Sequence, residues 1–335
     1  MNLLCLHVPT CPRDGEETAL VLVTQTHMRI LVASVVSALG LLAGLAGCNG
    51  GGATFSPRPE NGTAFSGTVT SRADGDASGK SLMYVTNWRS GDVSILTYPQ
   101  GVVFGGITGF DQPEGECVDA AGDVFIADQL HQEIKMFAHG GTTPIRTLTY
   151  RNAHPFGCSV DPVTGNLAVT NHRTSKAQPT IIAVYAGAQG VPKTYSFAGF
   201  QPRYCGYDNR GNLYIDGSVH HSEIAELPKG ASAIVSVTLD KAIVNQGAVQ
   251  WDGQYMVVAE MSPPIAYRVA FGRRAGKIVG TTKLSGAQDV GQFWIGGGKI
   301  VGPNANVYVW DYPSGGNPIR KFEGFTDPSA VVVTP

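Results

Sequence analysis

Charge is scarce in this sequence. Asp, Glu, Lys and Arg make up 15% of its 335 residues, against roughly 25% in an average soluble domain. The 24 basic and 26 acidic side chains leave a net charge of −2, so there is no positive excess to draw nucleic acid. Neither a Cys-x-x-Cys nor a His-Glu-x-x-His spacing occurs, which removes the common zinc signatures. A Gly-x-Ser-x-Gly elbow is also missing, and with it the α/β-hydrolase nucleophile. No apolar run reaches the ~20 residues that a membrane-spanning helix needs. What the chain has in excess is glycine, 43 residues, nearly twice the usual ~7%. With 43% hydrophobic residues a large core is available, and global disorder is excluded. Many glycines, few charges and scarce helical periodicity predict an all-β protein built on tight turns.

The longest apolar run, residues 30–45, follows Met28-Arg29 and ends in Leu45-Ala46-Gly47-Cys48. A short basic start, an apolar stretch and small residues before a cleavage point compose a secretory signal. The tetrapeptide resembles the bacterial lipobox. That resemblance implies cleavage before Cys48, diacylation of this cysteine and anchorage in a lipid bilayer. The expected localisation is exported and lipid-anchored to a bacterial membrane, either periplasmic or at the cell surface. Residues 1–27 include Pro9, Pro12, Asp14, Glu16 and Glu17, a poor lead for any signal. They are read as a gene-model extension, with translation starting at Met28 and a signal peptide over 28–47. Residues 48–80 hold the lipidated cysteine and a Gly/Ser/Thr/Asp-rich stretch without apolar periodicity, read as a flexible tether.

From residue 81 to 335 the chain repeats a unit of about 43 residues. The unit opens with Pro and reaches Asp six residues later: Pro113-Glu-Gly-Glu-Cys-Val-Asp119, Pro155-Phe-Gly-Cys-Ser-Val-Asp161 and Pro202-Arg-Tyr-Cys-Gly-Tyr-Asp208. A Gly turn and a second strand follow, as in Gly122-Asp-Val-Phe-Ile-Ala-Asp128, Gly165-Asn-Leu-Ala-Val-Thr-Asn171 and Gly211-Asn-Leu-Tyr-Ile-Asp216. Weaker copies open near Gln246 and Asp289. Four short strands in each unit of this length are the pattern of a β-propeller blade. Residues 82–108 supply three strands without an opener, and residues 328–335 supply an opener without the other three. Joined, they make one blade from both termini, which closes the ring and leaves no free edge. The prediction is a six-bladed β-propeller closed by the C-terminal strand and preceded by a signal peptide and flexible linker.

The Gly-Asn-Leu-Tyr-Ile-Asp type of strand resembles the NHL repeat, and the resemblance implies an NHL-type propeller from a bacterial lipoprotein. That scaffold hosts binding modules, lactonases and lyases alike. In such a blade the second-to-third-strand loops share one face with the links between blades. On this linking face the second strands end in Asn87, Asp128, Asn171, Asp216, Glu260 and Asn304. Asp and Asn there act as ordinary turn caps, or else Asp128, Asn171, Asp216 and Glu260 hold a divalent metal, as the resemblance to gluconolactonase-like propellers implies. The Ser-Asn-Gly-Leu segment of those propellers is absent.

His131, His154, His172, His220 and His221 fall on the same face, with Glu223 beside them. They form a candidate ligand-binding surface together with Arg203, which starts an inner strand, as do Glu114, Glu116 and Gln292. No cofactor is expected unless the divalent metal is real. Among the cysteines, Cys158 and Cys205 occupy equivalent positions of neighbouring inner strands. Export permits a disulfide between them, but diverging blades are expected to hold their Cα atoms beyond about 7 Å, so buried free thiols are predicted. The expected function is non-catalytic binding of a partner or small ligand by a monomeric, membrane-tethered propeller. The alternative is a metal-dependent, lactonase-like hydrolase or a lyase at the mouth of the propeller channel.

Overall fold

The computed structural model describes residues 69–150, 152–172, 180–218 and 222–335. The signal peptide, Cys48, most of the tether, His220 and His221 lie outside the described residues. The described chain is all-β. Its helical content is one short 3-10 turn, Ala186–Ala188.

Each repeat folds as an antiparallel meander. The second comprises Pro113–Val118, Val124–Asp128, Glu133–Phe137 and Pro144–Thr149, and the third comprises Pro155–Val160, Leu167–Asn171, Ile181–Tyr185 and Lys193–Tyr195. The fourth runs through Gln201–Tyr207, Leu213–Ser218, Ser222–Leu227 and Val235–Leu239, and the fifth through Gln246–Trp251, Met256–Glu260, Ile265–Gly272 and Ala275–Lys283. The sixth is Trp294–Gly296, Lys299–Pro303, Val307–Asp311 and Arg320–Phe322. The first is shared between the two ends of the described chain. Leu82–Asn87, Asp92–Thr97 and Val103–Thr108 pair in order, and Pro328–Val333 joins them at the inner edge, with Val331 opposite Val85 and Val333 opposite Met83.

The Asp that recurs after each opener explains why the repeat is visible in the sequence. Asp119 Oδ1 accepts the N–H groups of Ala121 and Asp123, and Asp208 Oδ1 accepts those of Arg210 and Asn212, all at 2.9 Å. Asp252 Oδ1 does the same for Gln254 and Tyr255. These Asx turns reverse the chain between first and second strands, and the strands alternate around them.

The apolar core is laid down in layers between consecutive meanders. Phe125 and Ile134 of the second pack with Leu167 and Ala183 of the third. Leu213 and Ile215 of the fourth pack on Ala168 and Ile182 of the third. The circuit closes where Val301 and Val309 of the sixth meet Met83 and Val331 of the first. The arrangement is propeller-like.

Three expectations need correction. Five sheets are hydrogen-bonded, where six separate blades were expected. Four are single blades of four or five strands, and the remaining sheet has eight. The long hairpin Ile265–Gly272/Ala275–Lys283 of the fifth meander reaches the open outer edge of the fourth, where Thr238 and Leu239 pair in parallel with Ala275 and Gly276. An unpaired strand edge offers free N–H and C=O groups, and this hairpin takes them up.

The C-terminal part of the expected tether is not free of the domain. Arg72–Ala73 pairs with the outer strand of the first meander, and Ala77 packs beside Phe104 and Phe137.

The third correction concerns the cysteines. Cys117 and Cys158 form a disulfide with Cα atoms 5.7 Å apart, and Cys205 is the buried free thiol. Inner strands converge at the axis instead of diverging. A Cβ on Gly115 would stand 2.3 Å from the carbonyl oxygen of Phe156, and one on Gly206 would stand 2.3 Å from that of Val249. Only glycine allows so close an approach.

Candidate functional site

The ring of polar residues on the linking face is tied into the blades. Asn87 Oδ1 accepts the N–H of Thr326 at 3.2 Å, and Asp128 Oδ1 accepts that of Asp111 at 2.9 Å. Glu260 Oε1 accepts the N–H of Val244 at 3.2 Å, and Asn304 Nδ2 donates to the carbonyl of Asp289 at 3.0 Å. Each of these bonds fastens the end of a second strand to the link entering its own blade. Asn171 donates to the carbonyl of Val169. Asp216 lies two residues short of its strand's end and accepts the N–H of Tyr204 at 2.8 Å.

Among the described residues, one group of three metal-ligating side chains has its ligand atoms within 4.8 Å of one another: Asp128, His131 and Glu133. Lys135 already supplies a cation there, with Nζ 2.7 Å from Asp128 Oδ2 and 3.2 Å from Glu133. His131 Nδ1 is 2.9 Å from the same Oδ2. Asp128 is fully buried, so this is a structural ion-pair network anchoring the loop. Glu133 was not anticipated, although the Asp128-x-x-His131-x-Glu133 spacing across a tight hairpin carries the signal.

His172 and His154 are joined through their backbones, the N–H of His172 donating to the carbonyl of His154 at 2.8 Å. The His172 ring meets Phe156 edge-on. His220 and His221 are outside the described residues, and so is the side chain of Glu223, whose backbone pairs with Gly217.

Chemistry gathers instead at the axis. Arg203 stacks its guanidinium over the ring of Phe156 at 5.1 Å, and Phe156 packs against Tyr204. Arg203 Nε is buried with no hydrogen-bond partner, and Arg203 makes no ion pair among the described residues. Two carboxyl groups within reach of its charge, Glu114 and Asp216, and a third on the Tyr84 side, Glu116, have a raised affinity for protons. Burial pushes Glu114 up to about 7, opposed by the positive charge of Arg203. Burial likewise pushes Glu116 up to about 8, and the backbone amides of Val332 and Thr86 pull it back only in part. Asp216 also rises to about 8 by burial, against the pull of the Tyr204 amide and Arg203. Desolvation disfavours the charged form of each acid, so the guanidinium is left as the standing charge of the group.

Gln292 crosses beneath this mouth. Its side-chain oxygen accepts the N–H of Glu116 at 3.2 Å, and its amide donates to the Glu116 carbonyl. Beyond it, toward the opposite face, the second halves of the inner strands enclose a cavity of about 260 Å³, lined among others by Ser159, Tyr207, Trp251 and Trp294.

Solved structures with this architecture are propeller-like. A protein of unknown function from Bacteroides caccae aligns over 76% of this chain and 99% of its own, with a TM-score of 0.59 and 13% identity. A nidogen/laminin complex gives a TM-score of 0.61 at 14% identity, covering 76% of this chain and 98% of that one. Kuenenia stuttgartiensis hydrazine synthase gives 0.52 at 12%, over 71% and 75%. The likeness is one of fold. No protein-family model matches the chain, and no curated protein matches it in sequence.

Of the residues picked from sequence, Arg203 therefore stands with Glu114 and Asp216, while Glu116 is turned toward Tyr84 and the closing strand. Asp128, Asn171 and Glu260 are engaged in their own blades.

Proposed function

We propose that this chain is an exported lipoprotein, anchored through acylated Cys48, whose monomeric propeller binds a small ligand without chemistry at the linking-face mouth of its axis. Counting the eight-stranded sheet as two blades makes the propeller six-bladed, and the turn-capping Asp and Asn residues favour the NHL type. The observation that carries the reading is Arg203. A guanidinium held on an aromatic face, with Nε desolvated and unpartnered, is prepared for an anionic group. Burial raises the proton affinity of the neighbouring Glu114 to about 7 and of Asp216 to about 8, so below those values neither adds a negative charge that would repel an anion.

Melting curves with citrate, succinate and inorganic phosphate test this. At about 100 times its Kd, a ligand adds roughly 2.7 kcal/mol to stability. At least one probe is expected to raise the Tm, and Arg203→Gln is expected to abolish the rise. A panel without effect, or a rise that survives the substitution, removes the anion reading. The anchor is tested separately: Cys48→Ser is expected to move the protein from the membrane fraction to the soluble one.

A further inference from the structure

The axis holds a second compartment beyond Gln292. Asp119, Asp161, Asp208 and Asp252 each follow an inner strand and bond through the backbone N–H to the carbonyl just ahead of their own second strand. In an antiparallel ladder the bonding direction alternates from residue to residue. The residue before each of them, Val118, Val160, Tyr207 or Trp251, therefore turns its N–H and C=O toward the axis. Side chains of a neighbouring inner strand answer some of these groups. Ser159 Oγ accepts the Tyr207 N–H at 3.1 Å, and the Gln250 side chain accepts the Ile295 N–H at 2.9 Å and donates to the Ile295 carbonyl at 3.2 Å. Among the described residues no side chain answers those of Val118, Val160 and Trp251. All three line the cavity of about 260 Å³.

The walls of this cavity carry aromatic surface and little charge. Trp251 and Trp294 both line it, each half-buried. Neither indole N–H has a hydrogen-bond partner among the described residues, whereas that of Trp310 donates to Ser285 at 2.9 Å. The lining includes no Lys, Arg, His or Asp. Burial holds the Glu116 proton up to about 8 and those of Cys205 and Tyr204 well above their ordinary range.

We propose that this cavity binds a neutral pyranose sugar, with its hydroxyl groups on the axis-facing N–H and C=O groups of Val118, Val160 and Trp251, and the C–H face of its ring against the indoles. A hydroxyl both donates and accepts, so a ring of them answers a strand edge that offers both kinds of group. An apolar molecule of the same size leaves that edge unanswered, and a charged one finds no counter-ion in the lining. The volume lies near the lower end of ligand pockets, about 300–1,000 Å³, which suits a single ring. The site is separate from the axial anion reading. Arg203 does not line it, and Gln292 is bonded to Glu116 across the axis between the two.

The test is calorimetric titration of the full-length protein with D-glucose, D-galactose, D-mannose and N-acetyl-D-glucosamine, beside cyclohexanol and D-glucuronate. At least one sugar is expected to bind saturably with a Kd below about 10 mM, and at least about 10-fold more tightly than either control. Trp251→Leu is expected to weaken that binding about 3-fold or more, and Arg203→Gln to leave it unchanged. Unfolding curves check the fold of both variants. A footprint on the native chain decides the matter should Trp251→Leu fail to fold. Bound sugar is expected to protect Trp251 and Trp294 from oxidation by N-bromosuccinimide, while Trp88, next to Asn87 on the linking face, stays as reactive as before. No saturable binding by any of the four sugars, equal binding of a control, or unchanged affinity in a folded Trp251→Leu overturns the proposal. Binding lost in Arg203→Gln, or protection of Trp88 without Trp251 and Trp294, places the sugar at the other mouth and overturns it too.

Discussion

At the scale of single residues, buried acids set how stability responds to pH. Glu116 is fully buried, and burial holds its proton up to about 8 although the amides of Val332 and Thr86 favour the charged form. In the unfolded chain a Glu releases that proton near 4.3. Between these values the native state binds more protons than the unfolded one, so stability is greatest below about pH 4 and falls as pH rises through 8. Asp216 and Glu114 add slopes of the same sign. Glu116→Gln removes one of the three. The variant is expected to lose less stability than the native protein between pH 5 and 8, and to exceed it by about 1–3 kcal/mol at pH 8. Urea midpoints at the two pH values decide it, and an unchanged difference between them contradicts the account. The sequence placed Glu114, Glu116 and Arg203 in inner strands, where they lie, and Gln292 at the start of one, where it falls two residues ahead of Trp294–Gly296. It did not show which of them lose their water, because burial depends on how closely neighbouring blades approach.

That approach belongs to the scale of elements. The alternation of apolar residues and the Pro-to-Asp spacing are local properties, and they place strands and turns correctly from Pro113 to Val160 and from Gln201 to Trp251. The distance between inner strands of different blades is not local. Gly115, Gly157 and Gly206 each sit against the backbone of a neighbouring inner strand. The same convergence brings Cys117 to Cys158, which a picture of radially diverging blades does not allow. The merger of the fourth and fifth meanders escaped for a related reason, since it depends on how far one hairpin reaches along another blade's rim. The disulfide links residues 41 apart in sequence, and cross-links of that span contribute about 2–4 kcal/mol. Cys158→Ala is expected to lose that amount, and reductant is expected to bring the native protein down to the same midpoint. A non-reducing peptide map should join Cys117 to Cys158 and leave Cys205 unalkylated until the protein unfolds. Cys205 bonded to either partner would contradict the assignment.

For the whole molecule, the decisive feature is that the two ends of the described chain build one blade. Pro328–Val333 supplies the inner strand of a sheet whose other strands lie more than 200 residues away, so the first blade and the closure of the ring wait for the last strand. This was legible because each end carries a partial repeat that the other completes. The contacts made there are central. Val331, Val332 and Val333 are at most 5% exposed, and Thr334 both accepts the N–H of Leu82 and donates to its carbonyl. Removing residues 328–335 strips three buried valines, each worth about 1.5–3 kcal/mol when fully buried, from a fold whose total stability is of order 5–15 kcal/mol. It also uncovers the six-residue edge Leu82–Asn87, all of it buried in the intact ring, and an exposed apolar edge recruits other chains. The truncated protein is therefore expected to unfold or associate, as size-exclusion chromatography and thermal melting will report. Adding back a synthetic peptide of residues 328–335 is expected to restore part of the lost melting temperature, because the missing strand needs only an edge to pair with. A truncated chain that stays monomeric with an unchanged Tm would mean that the layers between meanders hold the ring without this strand.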